Sequence, residues 1–120
     1  RMVRSVNTIM IQGDVIEAPT MDSNKYTQFL KLKVRTIDSY VDKNQQAKQD
    51  IEIHEVRVFG QLGRMIAETI QQGDTILVEG ALKSFGKQFY INVKSIKTTM
   101  KANGTMPSND IDRRMPLRKI

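Results

Sequence analysis

Positively charged and aromatic side chains recur at alternate positions in two stretches of this sequence, residues 26–40 and 51–60. In the first stretch the set consists of Phe29, Lys31, Lys33 and Arg35. In the second stretch it consists of Arg57 and Phe59, which share their predicted strand face with Ile53. Bases stack on aromatic rings and phosphates are attracted to cations, so this combination is typical of a sequence-tolerant site for a single nucleic-acid strand. Lysines on a strand can equally form an ordinary solvated face, and the pattern alone leaves both interpretations open.

Flanking segments add further aromatic and basic side chains to this candidate site. Tyr40 falls at a predicted loop and Phe85 at a predicted turn, where both have little core to fill. Lys43 lies in the polar segment 42–50 and Lys87 in the tight turn 84–87, and we place both in the site. The remaining aromatic residues are interpreted as structural, and they are Tyr26, Phe89 and Tyr90.

The sequence does not favour an enzyme. Its one histidine, His54, shares a predicted strand face with Val56 and Val58, and no cysteine or second histidine accompanies it. Neither a glycine loop that could cradle phosphates nor a dinucleotide-binding fingerprint is present. We therefore expect no catalytic residue, no metal and no cofactor, and we interpret His54 as a packing or interface residue.

Length and charge are consistent with one nucleic-acid-binding domain. The chain has 120 residues, enough for a single small core, and a formal net charge of +6 that favours polyanionic partners. Half of that charge lies in the tail, because residues 1–98 hold 14 basic and 11 acidic residues and residues 99–120 hold 5 and 2. Without cysteines or a long apolar run, we expect a soluble, cytoplasmic protein with no contact to a membrane.

The hydrophobic pattern predicts five strands and one helix. The strands cover residues 5–17, 26–40, 51–60, 74–84 and 88–96, with a turn over 18–25 and a loop over 42–50. A helix is predicted over residues 61–72, with Met65 among the core residues of its apolar stripe. This order is that of the OB-fold, an all-β five-stranded Greek-key barrel with its helix between the third and fourth strands. We expect the domain to span residues 1–98 and a flexible basic tail to span 99–120.

Several segments resemble the bacterial-type single-stranded DNA-binding proteins over about residues 4–96. They are V-N-T-I-M-I-Q-G-D-V, Y-V-D-K, I-E-I-H-E-V-R-V-F-G-Q-L, A-E-T-I-Q-Q-G-D-T-I-L-V-E-G-A-L-K and Y-I-N-V. The resemblance implies an OB-fold that assembles as a homotetramer and wraps single-stranded DNA without sequence preference. It also assigns residue roles: base stacking to Tyr40, Ile53 and Phe59, phosphate contacts to Arg4, Lys43 and Lys83, and a subunit interface to His54.

The chain departs from this family at several positions. It has no tryptophan, and Ile53, where the family often has one, offers no π-face. Glu55 replaces a typical arginine, and we expect Arg57, two residues further on the same face, to compensate. The loop between the last two strands is reduced to S-F-G-K, and the chain ends in R-R-M-P-L-R-K-I rather than in an acidic tip that recruits other proteins. A divergent phage, plasmid or organellar member fits these departures.

We therefore expect a non-catalytic protein that coats and protects single-stranded DNA during replication, recombination or repair. It would act in the cytoplasm with the nucleoid, in a host cytoplasm if encoded by a phage, or in an organellar matrix. Two alternatives stay open, a dimeric accessory protein of the primosomal type and an OB module that binds proteins. Oligonucleotide binding and solution mass separate them.

Overall fold

Six strands and one helix follow one another in a computed structural model that describes residues 3–107. The elements are β1 (Ile9–Val15), β2 (Thr20–Ser23), β3 (Gln28–Val41), β4 (Ala47–Phe59), α1 (Gly60–Ile66), β5 (Thr75–Phe85) and β6 (Gln88–Met100). Within the described residues, no helix combines the length and the apolar character that crossing a membrane requires.

Five of the strands form a closed ring in the order β1-β5-β6-β4-β3, and pairing of β1 with β3 closes it. The β4–β6 pair is parallel and the other pairs are antiparallel. The short strand β2 adds to the outer edge of β3. Since α1 lies between β4 and β5, the third and fourth strands of the ring in chain order, the predicted five-stranded OB-fold is confirmed.

The core fills the inside of the ring, as the alternation of the sequence predicts. Its side chains are aliphatic and almost fully buried, and they include Val15, Leu30, Leu32, Val34, Val56, Val58, Ile76, Val78 and Ile91. On β3 and β4 the buried residues occupy every second position, so the intervening residues lie on the outer face of the barrel. Those intervening positions carry most of the candidate site.

Two predicted loop segments are partly strand. The segment 18–25, predicted as a turn, contains β2, which pairs with β3 from Thr20 opposite Lys31 to Ser23 opposite Gln28. The segment 42–50, predicted as a loop, contributes its last four residues to β4, so only residues 42–46 form the turn. Both are exposed pieces of sheet, which are held by backbone pairing and therefore leave no apolar pattern in the sequence.

The helix is shorter than predicted. It begins directly after Phe59, and its last residue is Ile66 rather than residue 72. The chain then turns, and Gly73 N–H donates to the carbonyl of Val15, which leads it into β5. The helix packs the side of Leu62, Gly63 and Ile66 against the barrel, which leaves Met65 56% exposed, so the prediction of a core role for Met65 is wrong. Ile70, from the same predicted stripe, is buried through the turn instead.

The carboxylate of Asp74 ties the end of β6 to the barrel. Its side chain is fully buried and accepts hydrogen bonds from Gln71 N (2.9 Å), Ala102 N (2.8 Å) and Lys101 Nζ (2.8 Å). Burial by itself raises the pKa of this carboxyl, but the hydrogen bonds from Lys101 and the two backbone amides, with the charge of Lys101, outweigh burial and lower it. Lys101 and Ala102 are therefore packed against the barrel, although both lie beyond residue 98, the expected domain boundary. Residues 108–120 of the expected tail lie outside the described residues.

Candidate nucleic-acid interface

The hairpin of β3 and β4 brings the two predicted sets of side chains together on one face. Cross-strand partners on the outer face are Phe29 with Phe59, Lys31 with Arg57, Lys33 with Glu55 and Arg35 with Ile53. Directly opposite residues in an antiparallel pair have Cβ atoms about 4.5–5.5 Å apart, so these side chains form one contiguous surface. We call this surface the β3–β4 face, and it consists of these eight residues.

Three aromatic rings and one guanidinium form the centre of the β3–β4 face. The rings of Phe29 and Phe59 lie 5.0 Å apart, and Tyr90 on β6 lies 6.3 Å from Phe59. The guanidinium carbon of Arg57 lies 4.7 Å from the centre of the Phe29 ring and 4.1 Å from that of Tyr90. The cation is thus held against two aromatic rings, an arrangement worth about 0.5–2 kcal/mol for each desolvated contact. We refer to Phe29, Arg57, Phe59 and Tyr90 as the aromatic–arginine cluster.

Phe29 lies deeper in this cluster than the sequence suggests. Its position in the alternation predicts an outward side chain beside Lys31, but the ring is only 4% exposed. Arg57 and Phe59 cover it from the opposing strand, because both side chains are large enough to reach across the pair. Phe29 therefore supports Phe59 and Arg57 from below, and the half-buried ring of Phe59 is the one that a base could contact.

Carboxylates neutralise most of the predicted cations on the β3–β4 face. Glu55 lies 2.7 Å from Arg57 Nε and 3.8 Å from Lys33 Nζ, and Asp14 on β1 lies 3.1 Å from Arg35 Nη2. We expected Arg57 to compensate for the negative charge of Glu55, but the two side chains bind each other. Among the described ion pairs, Lys31 is the one cation of this face without a carboxylate partner.

Two predicted residues, Ile53 and Tyr40, lie on opposite faces of the hairpin arm, which is the part of the β3–β4 pair from Arg35 and Ile53 outward to the turn. Ile53 is exposed on the β3–β4 face, and the exposed residues Ile37 and Ile51, which pair with each other, continue its apolar stripe. Tyr40 is also exposed, but it lies within β3 opposite Lys48 rather than in a loop. The unbroken register places it an odd number of residues from Arg35, on the other face of the arm. A nucleic-acid strand that contacts both Tyr40 and Ile53 must therefore pass around the hairpin arm.

The other predicted basic and aromatic residues are exposed, and they are Arg4, Lys43, Lys83, Phe85 and Lys87. The two-residue turn between β5 and β6 has Gly86 at φ +63°, and Phe85 and Lys87 flank that glycine as the pattern S-F-G-K predicts. Lys83 lies opposite Tyr90 of the aromatic–arginine cluster. Arg4 precedes β1, and Lys43 lies in the turn between β3 and β4. Their contacts with nucleic acid stay predictions.

Two aromatic residues interpreted as structural are exposed. Tyr26 is 85% exposed between β2 and β3, and Phe89 is exposed at the start of β6. The Asn24 carboxamide oxygen accepts hydrogen bonds from Tyr26 N (2.8 Å) and Thr27 N (2.9 Å), which fixes the backbone that presents Tyr26. The S-N-K-Y sequence is itself turn chemistry, and that signal could have identified an exposed aromatic here. Tyr90, by contrast, packs within the cluster.

His54 lies on the same face of β4 as the buried residues Val56 and Val58. Its Nε2 lies 2.9 Å from Thr36 Oγ1 on the neighbouring strand. A shallow, mainly apolar depression runs past it, and its other lining residues include Ile9, Leu82 and Phe89. The imidazole thus has one hydroxyl partner beside an apolar surface, and its assignment to a subunit interface stays a prediction.

Comparison with known proteins places these features in a family. Residues 6–105 match the family model described as the single-strand binding protein family. The chain is 27% identical over 86 residues to a single-stranded DNA-binding protein of Xylella fastidiosa, covering 68% of this chain and 51% of that protein. A single-stranded DNA-binding protein of Xanthomonas axonopodis is 28% identical over 86 residues, covering 68% and 46%. The chain thus spans about half the length of these curated relatives.

Solved structures of similar fold include single-stranded DNA-binding proteins from two distant sources. A deletion mutant of the Thermus aquaticus protein matches with a TM-score of 0.68 at 23% identity, covering 81% of this chain and 52% of that one. A Plasmodium falciparum complex with single-stranded DNA matches with a TM-score of 0.68 at 17% identity, covering 82% and 98%. At these identities the likeness shows the shared fold.

Proposed function

We propose that this chain, which belongs to the single-strand binding protein family, binds single-stranded DNA without sequence preference. The observation that carries the proposal is the aromatic–arginine cluster, which lies on the outer face of the sheet between basic side chains. Stacking on a ring and attraction of phosphate are both available to every nucleotide, so this face needs no base-specific hydrogen bond.

The proposed path of the DNA strand follows the β3–β4 face from Phe59 toward the hairpin arm. A base stacks on the open side of Phe59, and Ile53 offers apolar contact further along. Lys31 supplies the cation nearest to this path that is free of a carboxylate among the described residues. Arg4, Lys83 and Lys87, with Phe85, contact the strand where it leaves the sheet.

The proposed biological role is to coat and protect exposed strands during replication, recombination or repair. This role needs no reaction chemistry, and we assign the protein no catalytic activity. It would act wherever single-stranded DNA forms, which for a bacterial or phage chain is the cytoplasm and the nucleoid.

We further propose a homotetramer, with a dimer as the alternative. The support is an apolar groove on the outer surface of β1, β5 and β6, which Met10, Leu77 and Ile96 line together with Glu79 and Lys97. Met10 is exposed on that surface, and burying it against a second copy would remove apolar area from water. His54 lies at a different edge of the barrel and would contact another subunit. Light scattering gives the mass directly: a dimer would support the primosomal-type alternative, and a monomer would contradict both.

The binding proposal is tested by charge reversal on the β3–β4 face. Lys31→Glu should weaken binding to labelled oligo-dT at least tenfold, because it replaces an attraction for phosphate with a repulsion. Arg64→Glu, which makes the same charge change on an exposed position of α1, is the matched control and should change binding less than twofold. Equal effects of the two variants, or a preference for duplex over single-stranded DNA, would contradict the proposal.

A further inference from the structure

Glu55 occupies the centre of the cationic part of the β3–β4 face. It lies directly opposite Lys33 and two residues before Arg57 on the same strand face, and its two carboxylate oxygens contact both cations. The side chain of Glu55 is 16% exposed and that of Arg57 is 13% exposed, so water screens this ion pair less than one at the surface. A DNA phosphate that approaches Lys33 and Arg57 meets a negative charge already bound to them.

Arg57 is positioned without Glu55. Its guanidinium lies against the rings of both Phe29 and Tyr90, and the backbone of β4 is fixed by pairing with both β3 and β6. Glu55 contacts only the Nε edge of the guanidinium, at 2.7 Å. Removal of the carboxylate charge therefore leaves the cation in place, and its main effect is electrostatic.

We infer that Glu55 is a resident competitor of the DNA phosphate, an affinity-limiting residue within the site. This inference rests on the proposed function. A phosphate binds Arg57 or Lys33 fully only when Glu55 gives up its contact, so Glu55 lowers affinity and shortens the lifetime of the complex. Glu55 also relieves repulsion between Lys31 and Arg57, two cations directly opposite each other, which gives it a structural role in the unbound protein.

The direct test is Glu55→Gln, which removes the charge and keeps the shape and an oxygen that accepts from Arg57 Nε. It should tighten binding to oligo-dT about threefold to tenfold at low salt, mainly through slower dissociation. It should also make the plot of log affinity against log salt steeper by about 0.7 for each cation made available to a phosphate, and therefore by up to about 1.4.

Two matched variants control for charge and for fold. Glu68→Gln makes the same charge change at an exposed position after α1 and should alter affinity less than twofold. Glu55→Asp keeps the negative charge on a shorter side chain, and it should tighten binding less than Glu55→Gln does. Thermal melts of all variants report their folding, and a slightly lower melting temperature for Glu55→Gln is expected from the repulsion between Lys31 and Arg57.

The direction of the change in oligo-dT affinity shows whether Glu55 competes with phosphate or positions Arg57. Weaker or unchanged binding by folded Glu55→Gln, or tightening of the same size by Glu68→Gln, would overturn the inference. Failure of the proposed function would look different: the unchanged protein would show no binding of oligo-dT at any salt concentration.

Discussion

Replacing Asp74 with asparagine should reveal how strongly the end of β6 is held to the barrel. The carboxylate accepts three hydrogen bonds, two from backbone amides and one from Lys101, and it is fully buried. Asparagine has one acceptor oxygen, so at least one buried N–H group would face an amino group. An unpaired buried donor costs about 1–3 kcal/mol, and weakening the charged bond to Lys101 adds about 1 kcal/mol. We expect Asp74→Asn to lower the free energy of unfolding by about 2–4 kcal/mol at pH 7.

The same carboxyl makes stability depend on pH. Its pKa is lowered in the folded protein, so its contribution to stability is present above the ordinary aspartate pKa of about 3.8 and is lost as the pH falls through the folded pKa. The unchanged protein should therefore lose more stability than Asp74→Asn as the pH falls below about 4. The free energies of unfolding of the two proteins should then approach each other in acid.

Urea unfolding at fixed protein concentration, from pH 7 to pH 3, measures both effects. Asp42→Asn, at a turn carboxylate that accepts hydrogen bonds from backbone amides but forms no ion pair among the described residues, is the control. Its carboxylate is more exposed than that of Asp74, so a smaller loss is expected. An unfolding free energy unchanged by Asp74→Asn, or parallel pH curves, would refute this account of the carboxylate.

Three further groups of variants test separate parts of the structure. Phe59→Ala and Tyr40→Ala should each weaken oligo-dT binding by about 1–3 kcal/mol while the barrel stays folded. Fluorescence titration measures the binding and circular dichroism the folding. If Phe59→Ala is unfolded, Phe59 is a core residue rather than a stacking residue. Gly13→Ala should lower the free energy of unfolding by more than about 2 kcal/mol, because the added methyl group would overlap the carbonyl oxygen of Arg35 where β1 meets β3. A smaller loss in urea unfolding would mean that β1 and β3 can move apart at little cost. Truncation after residue 98 should destabilise the domain at least as much as Asp74→Asn, because it removes Lys101 and Ala102, which supply two of the three hydrogen bonds to that carboxylate; an unchanged melting temperature in thermal melts would contradict this.

The sequence predicts the barrel well because its core strands alternate cleanly. Leu30, Leu32 and Val34 on β3 and Val56 and Val58 on β4 are the buried residues that the period of two identifies. The element order then fixes the fold class. The exposed strand β2 and residues 47–50 of β4 escape prediction, since their residues are exposed and carry no apolar period.

The sequence predicts which residues form the candidate site, but it does not predict the ion pairs between them. Alternation places Lys33, Glu55 and Arg57 on one face, but it does not show which cation binds which carboxylate. That depends on cross-strand register, and the pairing of Lys33 with Glu55 is fixed by a hairpin turn whose length the sequence misjudges. The burial of Phe29 likewise depends on Arg57 and Phe59 reaching over it from β4, a contact between strands that a single strand pattern does not contain.

Titration of labelled oligo-dT at two ionic strengths is the most direct test of single-strand binding by this face. The unchanged protein should bind saturably and more weakly as salt rises, with a log–log slope of about −0.7 for each phosphate neutralised. Lys31→Glu should lose much of that binding, while Arg64→Glu should retain it. Absence of binding, or binding that does not change with salt, would contradict single-strand binding by this face.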